Sequence, residues 1–125
     1  MKLNVMFIVA AFFLTLIGIL SLLAPAFPAL ANTDANGNFG IMSGGASMLS
    51  LGVIAWLVRN AEASKMRDSV VLGYTILFAL FALVSFYGQF YVPDGDGSWV
   101  NGLVWILFAV GFFMAGKASM SADAS

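Results

Sequence analysis

Apolar residues arrive in four long runs, separated by short breaks rich in polar and turn-forming side chains. Crossing a hydrocarbon core of ~30 Å takes about 20 helical residues at ~1.5 Å rise each, so runs of this length predict transmembrane helices. The first covers 3–24 and stops before Pro25 and Pro28. A polar stretch, 32–38, separates it from the second run at 40–58. The charged connector 59–68 leads to the third run, 69–91, which closes at the turn Pro93-Asp94-Gly95-Asp96-Gly97. The fourth occupies 99–116 and gives way to a small polar tail. The expectation is therefore an all-α chain, an integral membrane four-helix bundle formed as a single domain over 1–125.

Composition removes the soluble alternative. Of the 125 residues, 62% are hydrophobic and 9% charged, against about 25% charged in soluble domains. A soluble domain of this size leaves much of its surface in water and has no way to hide so much apolar area.

The basic residues predict orientation. Lys2, Arg59, Lys65, Arg67 and Lys117 fall at the N-terminus, the second connector and the C-terminus, whereas the other two loops carry Asp34, Asp94 and Asp96. Excess positive charge marks cytoplasmic segments, so both termini are expected in the cytoplasm. Trp56 near the inner boundary and Tyr87, Tyr91 and Trp99 near the outer one fit interfacial aromatic belts. Lys2, an apolar run and Ala29-Leu30-Ala31 also match the outline of a cleaved secretory signal. The run exceeds the ~7–15 residues of a usual signal core, so a retained first helix is the expectation.

Helices in lipid associate through close packing and interhelical hydrogen bonds, because acyl chains are as apolar as leucine. In the second run Gly40 and Gly44 form a G-x-x-x-G, continued by Ser43, Ser47 and Ser50. That face suits packing within the bundle or, alternatively, a seam with a second copy or a flat ligand. In the third run Thr75, Ala79, Ala82, Ser85 and Gln89 share one helical face, a polar seam expected to look inward or toward a partner chain. In the fourth, Gly102, Ala109 and Gly116 align similarly, with Gly111 and Ala115 on a second strip. Thr15, the polar side chain deep in the first run, is expected to bond its own helix backbone.

Chemistry is constrained mainly by what the composition lacks. There is no histidine and no cysteine, which removes the usual proton carrier, thiolates and the commonest metal ligand. No ionisable residue falls inside the four predicted runs, and such residues are the usual mark of proton relays and ion-coupled transport. Asp94 and Asp96 fall far short of the ligand set of a calcium loop. A net charge of −1 offers no footprint for nucleic acid. No enzyme is expected, and no catalytic or metal site.

The connector reads as a topology anchor that also solubilises the turn or, alternatively, as a cytoplasmic docking point or a contact for anionic lipid, with fewer basic residues than the four to eight of lipid-specific clusters. Twelve phenylalanines suit lipid-facing helices. They also suit a pigment or quinone site, for which Gln89 and Asn101 are candidate ligands.

The stretch 51–73, LGVIAWLVRNAEASKMRDSVVLG, resembles the second-loop region of small four-helix bacterial inner-membrane proteins, the DoxX-like and related families of unknown function. The matching residues are Trp56, Leu57 and Arg59, then Val71, Leu72 and Gly73. The resemblance implies a four-helix bundle in a bacterial cytoplasmic membrane and brings no catalytic residue. Three roles follow as expectations: an accessory or structural subunit of a membrane complex or homo-oligomer, a small pore or carrier for a neutral or lipid-like molecule, or a pigment or quinone binder. The expected partners are membrane lipids and other membrane subunits or a second copy.

Overall fold

The computed structural model describes residues 2–27, 35–91 and 98–124. They form α1 (Leu3–Leu23), a 3-10 turn (Ala24–Ala26), α2 (Ala35–Val58), α3 (Lys65–Tyr91) and α4 (Ser98–Ala124). All four helices are long and apolar enough to cross a membrane. The chain's own packing buries only 17–33% of each apolar stretch, and the remainder calls for an apolar surrounding medium. The turn at 93–97, the cleavage-like triplet at 29–31 and Asp34 lie outside the described residues.

Helix ends follow local chemistry. Beyond α1, Pro25 opens the 3-10 turn, and the Phe27 N–H donates to the Ala24 carbonyl at 3.0 Å to close it. The sequence pattern places the start of α2 at 40, whereas the helix begins at Ala35. Asn36, Gly37 and Asn38 are poor helix formers, each by up to about 1 kcal/mol, and packing of α2 on the 3-10 turn offsets that cost. The third helix also starts earlier than expected, at Lys65 instead of 69. Ser64 is its cap: the hydroxyl accepts the Arg67 N–H at 3.1 Å and the carbonyl accepts the Asp68 N–H at 3.0 Å. Asp68 in the first turn complements the helix dipole.

The largest departure is α4, expected to end at 116 and continuing to Ala124. Neither glycine nor proline interrupts the sequence after Gly116, and Arg67 Nη2 ties the extension to α3 by donating to Ser119 Oγ at 3.0 Å. The charge-free runs are thus the middles of longer helices: Lys65, Arg67 and Asp68 open α3, and Lys117 lies in α4. No ionisable side chain lies in α1 or α2.

The chain divides into two compact units, 7–60 and 61–125, the first six residues grouping with the second. In the unit 7–60, α1 and α2 touch backbone to backbone. A Cβ on Gly18 would stand 2.5 Å from the Leu49 nitrogen and 2.8 Å from the Gly45 carbonyl oxygen. On Gly45 it would stand 2.7 Å from Ser21 Cβ and 2.9 Å from the Gly18 oxygen, and on Gly52 2.8 Å from the Thr15 nitrogen. Only glycine permits this approach.

The second unit is an antiparallel hairpin of α3 and α4 in continuous register. Arg67 meets Ser119, Val71 faces Gly116, and Phe86 faces Gly102. Between them runs an aromatic ladder. Tyr74 stacks on Phe112 at 5.4 Å between ring centroids, Phe78 on Phe108 at 4.9 Å, and Phe81 meets Trp105 at 5.2 Å. At the far end Gln89 Oε1 accepts the Trp99 N–H at 3.4 Å.

Gly73 stands apart on α3, since a Cβ there would meet nothing within 4 Å. Gly73→Ala should therefore stabilise the hairpin by about 0.5–1 kcal/mol through helix propensity alone. Thermal unfolding in detergent followed by helicity checks it; an unchanged or lower midpoint would contradict the exposed placement.

Candidate functional site

The two glycines of the G-x-x-x-G are not where α1 touches α2. Gly40 and Gly44 have open space on all sides among the described residues. At ~100° per residue, Gly40, Ser43, Gly44 and Ser47 lie on the side of α2 opposite Gly45 and Gly52. The in-chain contact is one residue further on, at Gly45, and repeats after seven at Gly52. Ser47 Oγ donates to the Ser43 carbonyl at 3.1 Å and Ser50 Oγ to the Ala46 carbonyl at 2.9 Å. These hydroxyls are thus used within α2, which leaves the exposed face small, smooth and nearly apolar.

The polar seam of α3 overlaps the face that packs on α4. The buried stripe is Val71, Tyr74, Phe78 and Ala82, all toward α4. Thr75, Ser85 and Gln89 flank it half-buried, and Ala79 is exposed. Thr75 Oγ1 donates to the Val71 carbonyl at 2.9 Å, while Gln89 holds the start of α4 through Trp99. On α4, Gly102 is buried under the Phe86 ring, Ala109 is half-buried and Asn101 is exposed. Among the described residues no group of histidine, cysteine or carboxylate side chains could hold a metal ion.

Three features escape the sequence pattern. The Gly18–Gly45–Gly52 contact carries the first unit, and its signal was the small stripe Ala11, Thr15, Gly18 on α1. Arg67, read as part of a solvated connector, has a side chain only 11% exposed, paired with Asp68 at 3.6 Å and bonded to Ser119. Thr15, expected to bond its own helix backbone, has its Oγ1 against the Gly52 backbone of α2, where a glycine Cα–H is a weak donor.

Beside that contact runs a groove of about 530 Å³, walled by Ile8, Phe12, Thr15 and Ile19 of α1 and Gly52 and Trp56 of α2. The Arg59 guanidinium stacks on Trp56, one of these walls, its Cζ 3.7 Å from the centre of the ring. It also donates to the Trp56 carbonyl at the end of α2, a favourable place for a cation. Comparison with family models, curated proteins and solved structures returns no match.

Proposed function

We propose that this chain is an accessory or structural subunit of a membrane assembly, packed beside other membrane proteins or copies of itself in a bacterial cytoplasmic membrane. The observation that carries the reading is the open small face of α2. Among the described residues a Cβ on Gly40 or Gly44 would meet nothing within 4 Å, yet small residues at this spacing are what membrane helices use to approach one another. The absence of ionisable side chains from α1 and α2 supports a non-catalytic, non-pumping role.

A cytoplasmic location for both termini is part of the proposal. Arg67 bonded to Ser119 brings the start of α3 beside the last turns of α4. Lys65, Arg67 and Lys117 thus sit toward one end of that hairpin, in keeping with the positive-inside rule. A pore reading would need the Thr75–Gln89 face to line a path, and that face borders the aromatic ladder instead.

The test is association in mild detergent. The double variant Gly40→Leu, Gly44→Leu should weaken the assembly at least tenfold, about 1.4 kcal/mol, while unfolding of the isolated chain is unchanged. Light scattering and crosslinking read the first, denaturant titration the second. A chain that extracts as a lone monomer, indifferent to both substitutions, would remove the reading.

A further inference from the structure

The groove along α1 and α2 has a chemical character of its own. Its walls are apolar from Ile8 to Ile19, about 16 Å at ~1.5 Å per residue. That is the depth of one leaflet, half of a ~30 Å hydrocarbon core. The polar groups its lining side chains carry are the Thr15 hydroxyl and the Trp56 indole N–H. A cation stacks on Trp56, one of the groove's walls. Arg59 makes no ion pair among the described residues. Its guanidinium has five N–H donors, one of them given to the Trp56 carbonyl.

We infer that this groove is a binding site for an anionic phospholipid, one acyl chain lying between Ile8 and Ile19 and the phosphate held by Arg59. The inference rests on the membrane-spanning reading of the helices and adds a ligand to it. Length and charge both select the occupant. A groove one leaflet deep, open along its side and apolar throughout, fits a single acyl chain. A guanidinium held by stacking on Trp56 is pre-organised, so little side-chain freedom is lost when it pairs with phosphate. A partner helix would find no small-residue surface along the groove's rim, where Phe12, Leu16 and Val53 stand exposed. The C-cap bond of Arg59 explains its position but not the groove.

Brominated lipids test this directly. With Trp99→Phe and Trp105→Phe, fluorescence reports Trp56 alone, since the chain has three tryptophans. In phosphatidylcholine vesicles, brominated phosphatidylglycerol should reach half-quenching at a mole fraction about five-fold below that of brominated phosphatidylcholine, the preference expected of one basic residue beside an anionic headgroup. Arg59→Gln should make the two curves coincide, and Val53→Phe, which fills the groove, should weaken quenching by both lipids.

Coincident curves for the parent, or a preference that survives Arg59→Gln, would overturn the proposal. Relief of quenching by soluble glycerol phosphate would show an ion site without a chain and overturn it too. Weak quenching by both lipids would mean that protein covers the groove, a further refutation. Failure of the membrane reading itself looks different, because the chain would then not float with the vesicles. Native mass spectrometry of the unsubstituted chain supplies an independent check: phosphatidylglycerol adducts should outlast those of phosphatidylcholine, and equal loss counts against the site.

Discussion

Leucine in place of Gly45 is expected to unmake the packing of α1 on α2, whereas leucine in place of Gly44, its neighbour in the chain, leaves that packing intact. The difference is geometric. At Gly45 the first added carbon already meets Ser21 Cβ at 2.7 Å, the Gly18 oxygen at 2.9 Å and the Leu22 nitrogen at 3.0 Å. Two of these are backbone atoms, which no rotamer change can move aside. Overpacking commonly costs about 1–3 kcal/mol when side chains can yield, so the cost here should lie at or above ~3 kcal/mol. At Gly44 a Cβ meets nothing within 4 Å, and an exposed substitution should stay within about 0.5 kcal/mol. Denaturant titration of the monomeric chain, followed by Trp fluorescence, compares the two. Equal destabilisation by both would mean that α2 is rotated from the azimuth described above. The same pair separates folding from assembly, since Gly44→Leu should act on association and Gly45→Leu on the chain itself.

That contrast also marks what the sequence can and cannot reveal. The existence of four helices is legible because length and hydropathy must match the bilayer whatever the packing. The end of α1 is legible in Pro25, and that of α2 in the charges that follow Val58. The other ends depend on particular contacts. Ser64 starts α3 early because its hydroxyl and carbonyl meet two backbone N–H groups, and α4 runs on past Gly116, where the Arg67–Ser119 bond ties it to α3.

Azimuth is harder still to read. Small residues line both sides of α2, Gly40-Gly44-Ser47 on one and Gly45-Gly52 on the other. A period of 3.6 residues gives spacing along a face without saying which face meets α1. In water the contrast between apolar and polar sides would decide. In lipid the outward side is apolar as well, so Phe78, fully buried, and Leu83, on the exposed side, look alike in sequence. Thr75, Ser85 and Gln89 share a helical face with Ala82, and the buried stripe Val71, Tyr74, Phe78 and Ala82 overlaps that face, yet nothing in the pattern singles out Tyr74 and Phe78 as its core. The groove was not legible at all, because Ile8 and Trp56 are distant in sequence and line one cavity only once the helices pair.

Phe78→Ala should be the most damaging change in the α3–α4 hairpin. Phe78 is fully buried and its ring contacts Trp105 at 5.7 Å, Phe108 at 4.9 Å and Phe112 at 5.6 Å, all three stacked, with Phe81 at its edge at 6.4 Å. In a water-soluble core such a truncation costs about 3–5 kcal/mol, as a transfer term plus a cavity term. Here the transfer term shrinks, because the separated helix would return Phe78 to lipid instead of water. What remains is lost dispersion and the cavity, with about 0.5–1.5 kcal/mol for each aromatic pair beyond its area. Losses within one cluster do not simply add, which sets the expected cost at about 2–4 kcal/mol. Phe78→Leu, which refills most of the volume without a ring, should recover roughly half of it. Phe113→Ala on the exposed side of α4 should be nearly neutral. Unfolding of the three variants in mixed micelles distinguishes a packed ladder from phenylalanines that merely face lipid. If Phe78→Ala and Phe113→Ala proved equally mild, the ladder would not be what joins α3 to α4.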